Sequence, residues 1–297
     1  VNGPQAHWLT DRRRLHLNHG PIDLVVEAFG EASEQRAAYE QAVARFQTIL
    51  PELVEELPAL RQPAALARRS FVGRTARRME AAVSPLAERF ITPMAAVAGS
   101  VADEVLAAMV RGRKLDRAYV NNGGDSALHL ASGQSMKLAI AGTGYGFADR
   151  ILLRAEDGVR GVATSGWRGR SFSLGIADAV TVLARCGAAA DAAATLIANA
   201  VDLPGHSAIK RQPAFELAPD SDLGTRLVTV AVAMVSPEET AQALQAGLIL
   251  AEEYRQRGLI TAAALFLNGA TAFAGSFPDP RSDRLRPSDK TKDLVHA

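Results

Sequence analysis

The chain is poor in cysteine and in aromatics, carries almost no net charge and has no long apolar run. A single cysteine, Cys186, among 297 residues excludes an intrachain disulfide and a multi-cysteine zinc or iron–sulfur centre. One free thiol fits a reducing compartment. Lys+Arg number 33 against 32 Asp+Glu, for a formal charge of +1. Such a balance offers no global field to draw nucleic acid. The longest apolar stretches, 227–235 and 259–267, fall far short of the ~20 residues a membrane-spanning helix needs. The opening VNGPQAHWLTDRRR has no apolar centre of the kind a signal sequence needs. A cytoplasmic protein with no membrane and no nucleic-acid partner is the expectation.

Several catalytic signatures are also missing. The six histidines form no H-x-x-x-H or H-E-x-x-H pattern. Gly142-Thr143-Gly144-Tyr145-Gly146 is glycine-rich, but it lacks the lysine of a P-loop and the spacing of a dinucleotide fingerprint. No G-x-S-x-G elbow is present. Cys186 follows an apolar segment and reads as a buried, inert thiol.

What is present is the composition of a folded chain, with enough length for a sizeable core. Residues 22–27 alternate apolar and polar, which predicts a half-buried strand. Residues 32–50 have helical spacing, with Ser33 as the expected N-cap and Pro51 opening a second short helix. Further helices are expected over 74–88, from Pro93 to near Gly112, over 188–200 and over 237–256. Short strands are expected at 117–120, 127–130, 136–140, 150–154, 179–184 and 227–235. A hairpin around Asn268-Gly269 joins 260–267 to 271–274. Helices do not alternate regularly with strands, so the expected class is α+β, a largely antiparallel sheet with packed helices. Residues 1–275 are expected to form one domain, and 276–297 a polar, Pro-rich tail.

Four segments are candidates for chemistry, and each has a plain structural alternative. Asn121-Asn122-Gly123-Gly124-Asp125 suits either a ligand cradle or a tight hairpin turn. Asp191 and Thr195 share a helix face and offer hard oxygens suited to Mg²⁺. The alternative is an acid favoured near its own helix N-terminus, with a threonine bonded back to a carbonyl. In Thr164-Ser165-Gly166-Trp167-Arg168-Gly169-Arg170, Arg168 and Arg170 suit phosphate oxygens and Trp167 suits a flat ring. An exposed hairpin tip fits equally. Arg74, Arg77 and Arg78 share a helix face with Arg68 and Arg69 upstream, which suits phosphate, a subunit contact or plain solvation. His16 and His19 are a candidate spatial pair, and His206, after Pro204-Gly205, is a candidate acid or base.

Three stretches of the chain occur in a telling order. PMAAVAGSVADEV at 93–105 comes first, YVNNGGD at 119–125 next, then ATSG at 163–166 followed by AVTV and AAADAAAT within 179–195. This order resembles the ApbE superfamily, whose founding members are FAD:protein FMN transferases, and is most similar to its shorter branch of unassigned function. The resemblance implies an ApbE-like α+β fold. It implies that Asp191, Thr195 and the carbonyl of Ala98 hold Mg²⁺. It implies that Asn122, Gly123, Gly124, Asp125, Thr164, Ser165 and Gly166 line a flavin nucleotide pocket for FAD or FMN. This chain has Ala98-Gly99 where the transferases have lysine before the glycine, and it lacks their HIIDP-type segment. The expected function is binding of a flavin nucleotide or similar small ligand with Mg²⁺, with flavin-related transferase or hydrolase chemistry. Asp191, Arg168 and His206 are the catalytic candidates. Trp167 and Arg170 complete the pocket, and the chain is expected to form a homo-oligomer such as a dimer. An enzyme acting on another small metabolite is one rival reading. A non-catalytic accessory or assembly protein is the other.

Overall fold

Antiparallel strands that alternate between two faces organise the chain. The computed structural model describes residues 3–139, 150–277 and 294–296, the last three by backbone only. The glycine-rich 142–146 and most of the tail expected over 276–297 lie outside the described residues. The strands are β1 Gln5–Trp8, β2 Leu15–His19, β3 Ile22–Gly30, β4 Leu115–Asn122, β5 Asp125–Leu130, β6 Ser135–Ala139 and β7 Arg150–Arg154. They continue as β8 Gly161–Ser165, β9 Ala179–Ala184, β10 Ile209–Pro213, β11 Leu227–Val232, β12 Ala262–Leu267, β13 Ala270–Ala274 and β14 Leu294–His296. The helices are α1 Ala32–Glu55, α2 Leu57–Leu60, α3 Arg74–Val83, α4 Val97–Val110, α5 Gly187–Ala200, α6 Ala214–Leu217 and α7 Pro237–Gln256.

Nine strands form one sheet in the order β1-β2-β3-β4-β5-β8-β9-β12-β13. Every pairing in it is antiparallel. Side-chain alternation assigns its two faces. On β9, Val180, Val182 and Ala184 pack with α5 and α7, while Leu183 points to the opposite core. On β4, Ala118 and Val120 join α1 and α4, while Tyr119 faces the other way. Helices therefore cover one face. The small sheet of β6 and β7, with β14 parallel to β6, contributes Met136, Leu138, Ile151 and Leu153 to the core of the other. Central strands β9 and β12 are buried at every residue. The α+β class with a largely antiparallel sheet is as the sequence predicts.

The differences have local causes. Helix α1 does not break at Pro51; it runs 24 residues through the proline. Its apolar stripe of Ala38, Ala42, Phe46 and Ile49 continues to Leu53, and that burial outweighs the missing backbone bond. The helix starts at Ala32 behind Glu31, so Ser33 is not the cap; its hydroxyl donates to Glu31 instead. Helix α3 stops at Val83 because Pro85 has no N–H to continue the α-helical ladder, and a 3₁₀ turn follows over Ser84–Leu86. Helix α7 begins where expected, behind a Ser236–Glu239 capping box. The apolar stretch Pro93–Val110 is long enough to cross a membrane by composition, but 67% of it is buried within the fold as α4 and its leading turn.

Candidate functional site

Helices α4 and α5 cross through two glycines. A Cβ on Gly99 would lie 2.2 Å from the Gly187 carbonyl oxygen, so only glycine allows this approach. Each helix then caps the other. Asp103 of α4 accepts from the amides of Gly187 at 2.8 Å and Ala188 at 2.9 Å, the first turn of α5. Asp191 of α5 accepts from the amide of Gly99 at 2.9 Å, and also from that of Ala98, in the first turn of α4. The pairs 99 with 191 and 103 with 187 run in opposite order, so the helices are antiparallel here. The carboxylates satisfy amides that a helix start leaves open.

The Asp191 end of the crossing opens into a cleft of about 710 Å³. Turn Asn122–Asp125 joins β4 to β5, with φ of +64° at Gly123 and +122° at Gly124. It is a hairpin turn, and it also forms a wall of the cleft. The Asn122 side chain donates to the Ala98 carbonyl at 3.1 Å. The Asp125 carboxylate accepts from the Thr164 amide at 3.1 Å, and the Thr164 and Thr181 hydroxyls share a bond of 2.8 Å. These contacts tie the β4–β5 turn to the end of β8. Beyond Ser165 the chain passes so close to Asp178 that a Cβ on Gly166 would sit 2.5 Å from its carbonyl oxygen. Arg168 then pairs with Asp178 at 2.7 Å, and the Arg170 guanidinium lies against Gly123.

The site brings Asp125 and Asp191 within electrostatic reach of each other. Burial pushes the Asp125 carboxyl up to about 7, against the Thr164 amide and the Arg170 charge. Burial also holds Asp191 well above the usual carboxylate range, and the Asp125 charge raises it further. Thr195 lines the same cleft one turn along α5. Two carboxylates, a hydroxyl and the Ala98 carbonyl form an all-oxygen donor set. That chemistry fits Mg²⁺. Among the described residues no cluster of three or more His, Cys, Asp or Glu could hold a metal ion.

The family model described as AbpE bacteria matches residues 6–273. The chain belongs to this family. The AbpE bacteria match covers every segment that carried the ApbE resemblance, which is thereby borne out. A UPF0280 protein of Methanothrix thermoacetophila is 40% identical over 113 residues, covering 37% of this chain and 46% of that protein. One from Methanopyrus kandleri is 41% identical over 119 residues, covering 39% and 46%. The matched stretch thus spans less than half the length of these relatives. Among solved structures, the Pseudomonas stutzeri flavinyl transferase ApbE aligns over 94% of this chain and 96% of its own, at 14% identity and a TM-score of 0.48. The ApbE protein of Thermotoga maritima aligns over 92% and 97%, at 13% identity and a TM-score of 0.48.

Most of the expected residues converge. Ala98, Asn122, Gly123, Asp125, Thr164, Ser165, Gly166, Arg168, Arg170, Asp191 and Thr195 all line this one cleft. Three do not. Gly124 shapes the turn without reaching the cleft. Trp167 lies outside the lining, with Arg168 stacked 4.7 Å from its ring centre. His206 is bound to Glu239 at 2.9 Å, near the start of α7 and away from the lining. His16 does not pair with His19 either. It bonds His7 and Asp23, while the His19 ring meets Phe46.

The sequence reading missed two walls. Met94, Ala95 and Val97 come from the lead into α4, a segment singled out only for Ala98. Ser221, Asp222 and Leu223 arrive from the tip of the β10–β11 excursion, where no local pattern marks them. That tip is fastened by Asp222 to Thr92 and by Asp220 to Arg61, and Arg226 lies over the Phe90 ring.

Proposed function

We propose that this cleft binds a flavin nucleotide, FAD or FMN, through its phosphates with Mg²⁺, and that it carries flavin-related transferase or diphosphate hydrolase chemistry. The observation that supports this reading is the meeting of Asp125, Asp191, Thr195 and the Ala98 carbonyl under a rim of Arg168 and Arg170. Asp191, Thr195 and the Ala98 carbonyl would hold the cation, which when bound neutralises a diphosphate and polarises it toward attack. Asn122 donates to the Ala98 carbonyl and fixes it. Arg170 places positive charge where outer phosphate oxygens would lie, and the Asp178 bond restrains Arg168 at the rim. Phe172 and Met94 offer apolar contact in the same cleft, the place first assigned to Trp167.

Calorimetric titration with FAD, FMN and ADP, with and without Mg²⁺, tests the proposal. Mg²⁺-dependent FAD binding that Asp191→Ala abolishes is expected. Equal affinity in that variant, or no binding of any of the three, refutes it. One observation favours a second reading, an enzyme for another small metabolite on the same scaffold. The position before Gly99 is alanine, so the cation comes from Arg168 and Arg170 instead, on the other wall. A carboxylate or sulfur metabolite that raises the melting temperature where FAD does not would establish it. The reading further includes a small-molecule ligand, no nucleic-acid or membrane partner, a cytoplasmic location and assembly into a homo-oligomer. Sedimentation at several concentrations tests the last point.

A further inference from the structure

The opposite end of the α4–α5 crossing opens into a second cleft, of about 420 Å³. Arg68, Arg78 and Arg185 enter it from three separate segments, above a floor that includes Ala82, Leu86 and Leu259. Arginines that are neighbours in the sequence separate here. Arg69 turns away to the buried Glu80 at 2.8 Å. Arg78 gives its Nε to Glu104 at 2.9 Å, and Glu104 is shared with Arg45. Asp103 is the acid in the lining, and its two oxygens are taken by the amides of Gly187 and Ala188. Among the described residues, no acidic side chain pairs with Arg68 or Arg185, and both are exposed. Three guanidiniums therefore face one committed carboxylate, in a chain whose overall charge is close to zero.

We infer that this cleft binds a small phosphate ester, its phosphate held by Arg68, Arg78 and Arg185 and its carbon body resting on the alanine and leucine floor. Guanidinium forks match phosphate oxygens in pairs, and three from different segments surround one anion rather than a line of them. The apolar floor gives a carbon body a place that a bare solvated ion would not use. The volume falls within the ~300–1,000 Å³ typical of small-ligand pockets. A nucleic-acid track along α3 fits less well, because Arg74 faces Glu52. Burial holds the Cys186 thiol above its usual range, and the Asp103 charge raises it further, so the cleft binds rather than attacks.

The test is calorimetry on the Asp191→Asn protein, which silences the metal-dependent cleft, with inorganic phosphate and with AMP at fixed ionic strength. Saturable binding of one equivalent is expected, with AMP the tighter of the two. The Arg68→Ala/Arg185→Ala double variant should bind at least about tenfold more weakly, and Arg77→Ala/Arg111→Ala within about twofold of the parent. In the otherwise unaltered protein, Arg68→Ala/Arg185→Ala should leave Mg²⁺-dependent FAD binding unchanged, so failure here is separable from failure of the flavin reading. Unsaturable binding, equal affinity in Arg68→Ala/Arg185→Ala, or a loss that follows Arg77 and Arg111 instead would overturn the inference. The last outcome would assign the face to an extended polyanion.

Discussion

Replacing Asp191 and Asp103 separately by asparagine tests whether two matching caps have different jobs. Each carboxylate accepts two amides from the first turn of the other's helix. Asparagine keeps one acceptor oxygen and turns an NH₂ toward the second amide. Losing one charge-assisted bond and stranding a buried N–H costs about 1–3 kcal/mol, close to the ~0.5–2 kcal/mol measured for lost N-caps. Burial raises the Asp103 carboxyl too, but the Ala188 and Gly187 amides and the Arg78 charge oppose it, so most of that loss should stand. We expect Asp103→Asn to cost about 2 kcal/mol in metal-free buffer. At Asp191 the same loss is offset, since the variant removes one of two neighbouring like charges. We expect a net change within about 1 kcal/mol.

Ligand binding should show the reverse order. Asp191→Asn should lose Mg²⁺-dependent FAD affinity by more than about 100-fold, whereas Asp103→Asn should stay within about twofold. Urea unfolding in EDTA reads the first quantity as a midpoint shift at constant slope. Calorimetry with FAD and Mg²⁺ reads the second. If both variants are equally destabilised and both bind FAD as the parent does, Asp191 is a cap and nothing more, and the assignment of the metal site fails.

Three further outcomes follow from the geometry. Burial raises the folded-state pKa of Asp125 from 3.8 to about 7, so its favourable contribution is full below the unfolded carboxylate range and disappears as pH rises through 7. Metal-free protein should lose up to about 4 kcal/mol from this group as pH rises from about 4 to about 7, and its melting temperature should fall across the same interval. Mg²⁺ or Asp125→Asn should flatten that fall; a flat profile in metal-free parent protein contradicts the buried-carboxylate account. Gly99→Ala places a methyl 2.2 Å from the Gly187 carbonyl oxygen and should cost about 3 kcal/mol, read by thermal melting. An unchanged melt would mean the crossing is looser than described. His206→Ala should leave FAD affinity within about twofold and the melting temperature little changed, because the ring serves Glu239 outside the cleft. A tenfold loss of affinity would restore it as a site residue.

What could be read from the sequence follows from how far each signal reaches. Strands β9 and β12, buried at every residue, show as apolar runs broken only by Thr181, and α7 shows through its proline and serine start. Strand β1 is exposed throughout and β10 reads Ile-Lys-Arg-Gln-Pro, so neither has a periodicity to find. The cleft was legible where its parts are local: a glycine turn, a T-S-G corner and two oxygens at helical spacing. Its Ser221–Leu223 wall was not, because only the path of the β10–β11 excursion brings it there. Asp191 shows the limit most clearly. An acid near a helix start invites the view that it serves its own helix, yet its amide partners belong to α4, some 90 positions earlier. The sequence holds both halves of that exchange, Gly99 with Asp103 and Gly187 with Asp191, each pair at the same four-residue interval. One interval alone says only that two residues share a helix face. Two equal intervals, each opening with a glycine, become informative once the helices are known to cross, because each glycine admits the backbone that the aspartate four residues on in its own helix must cap.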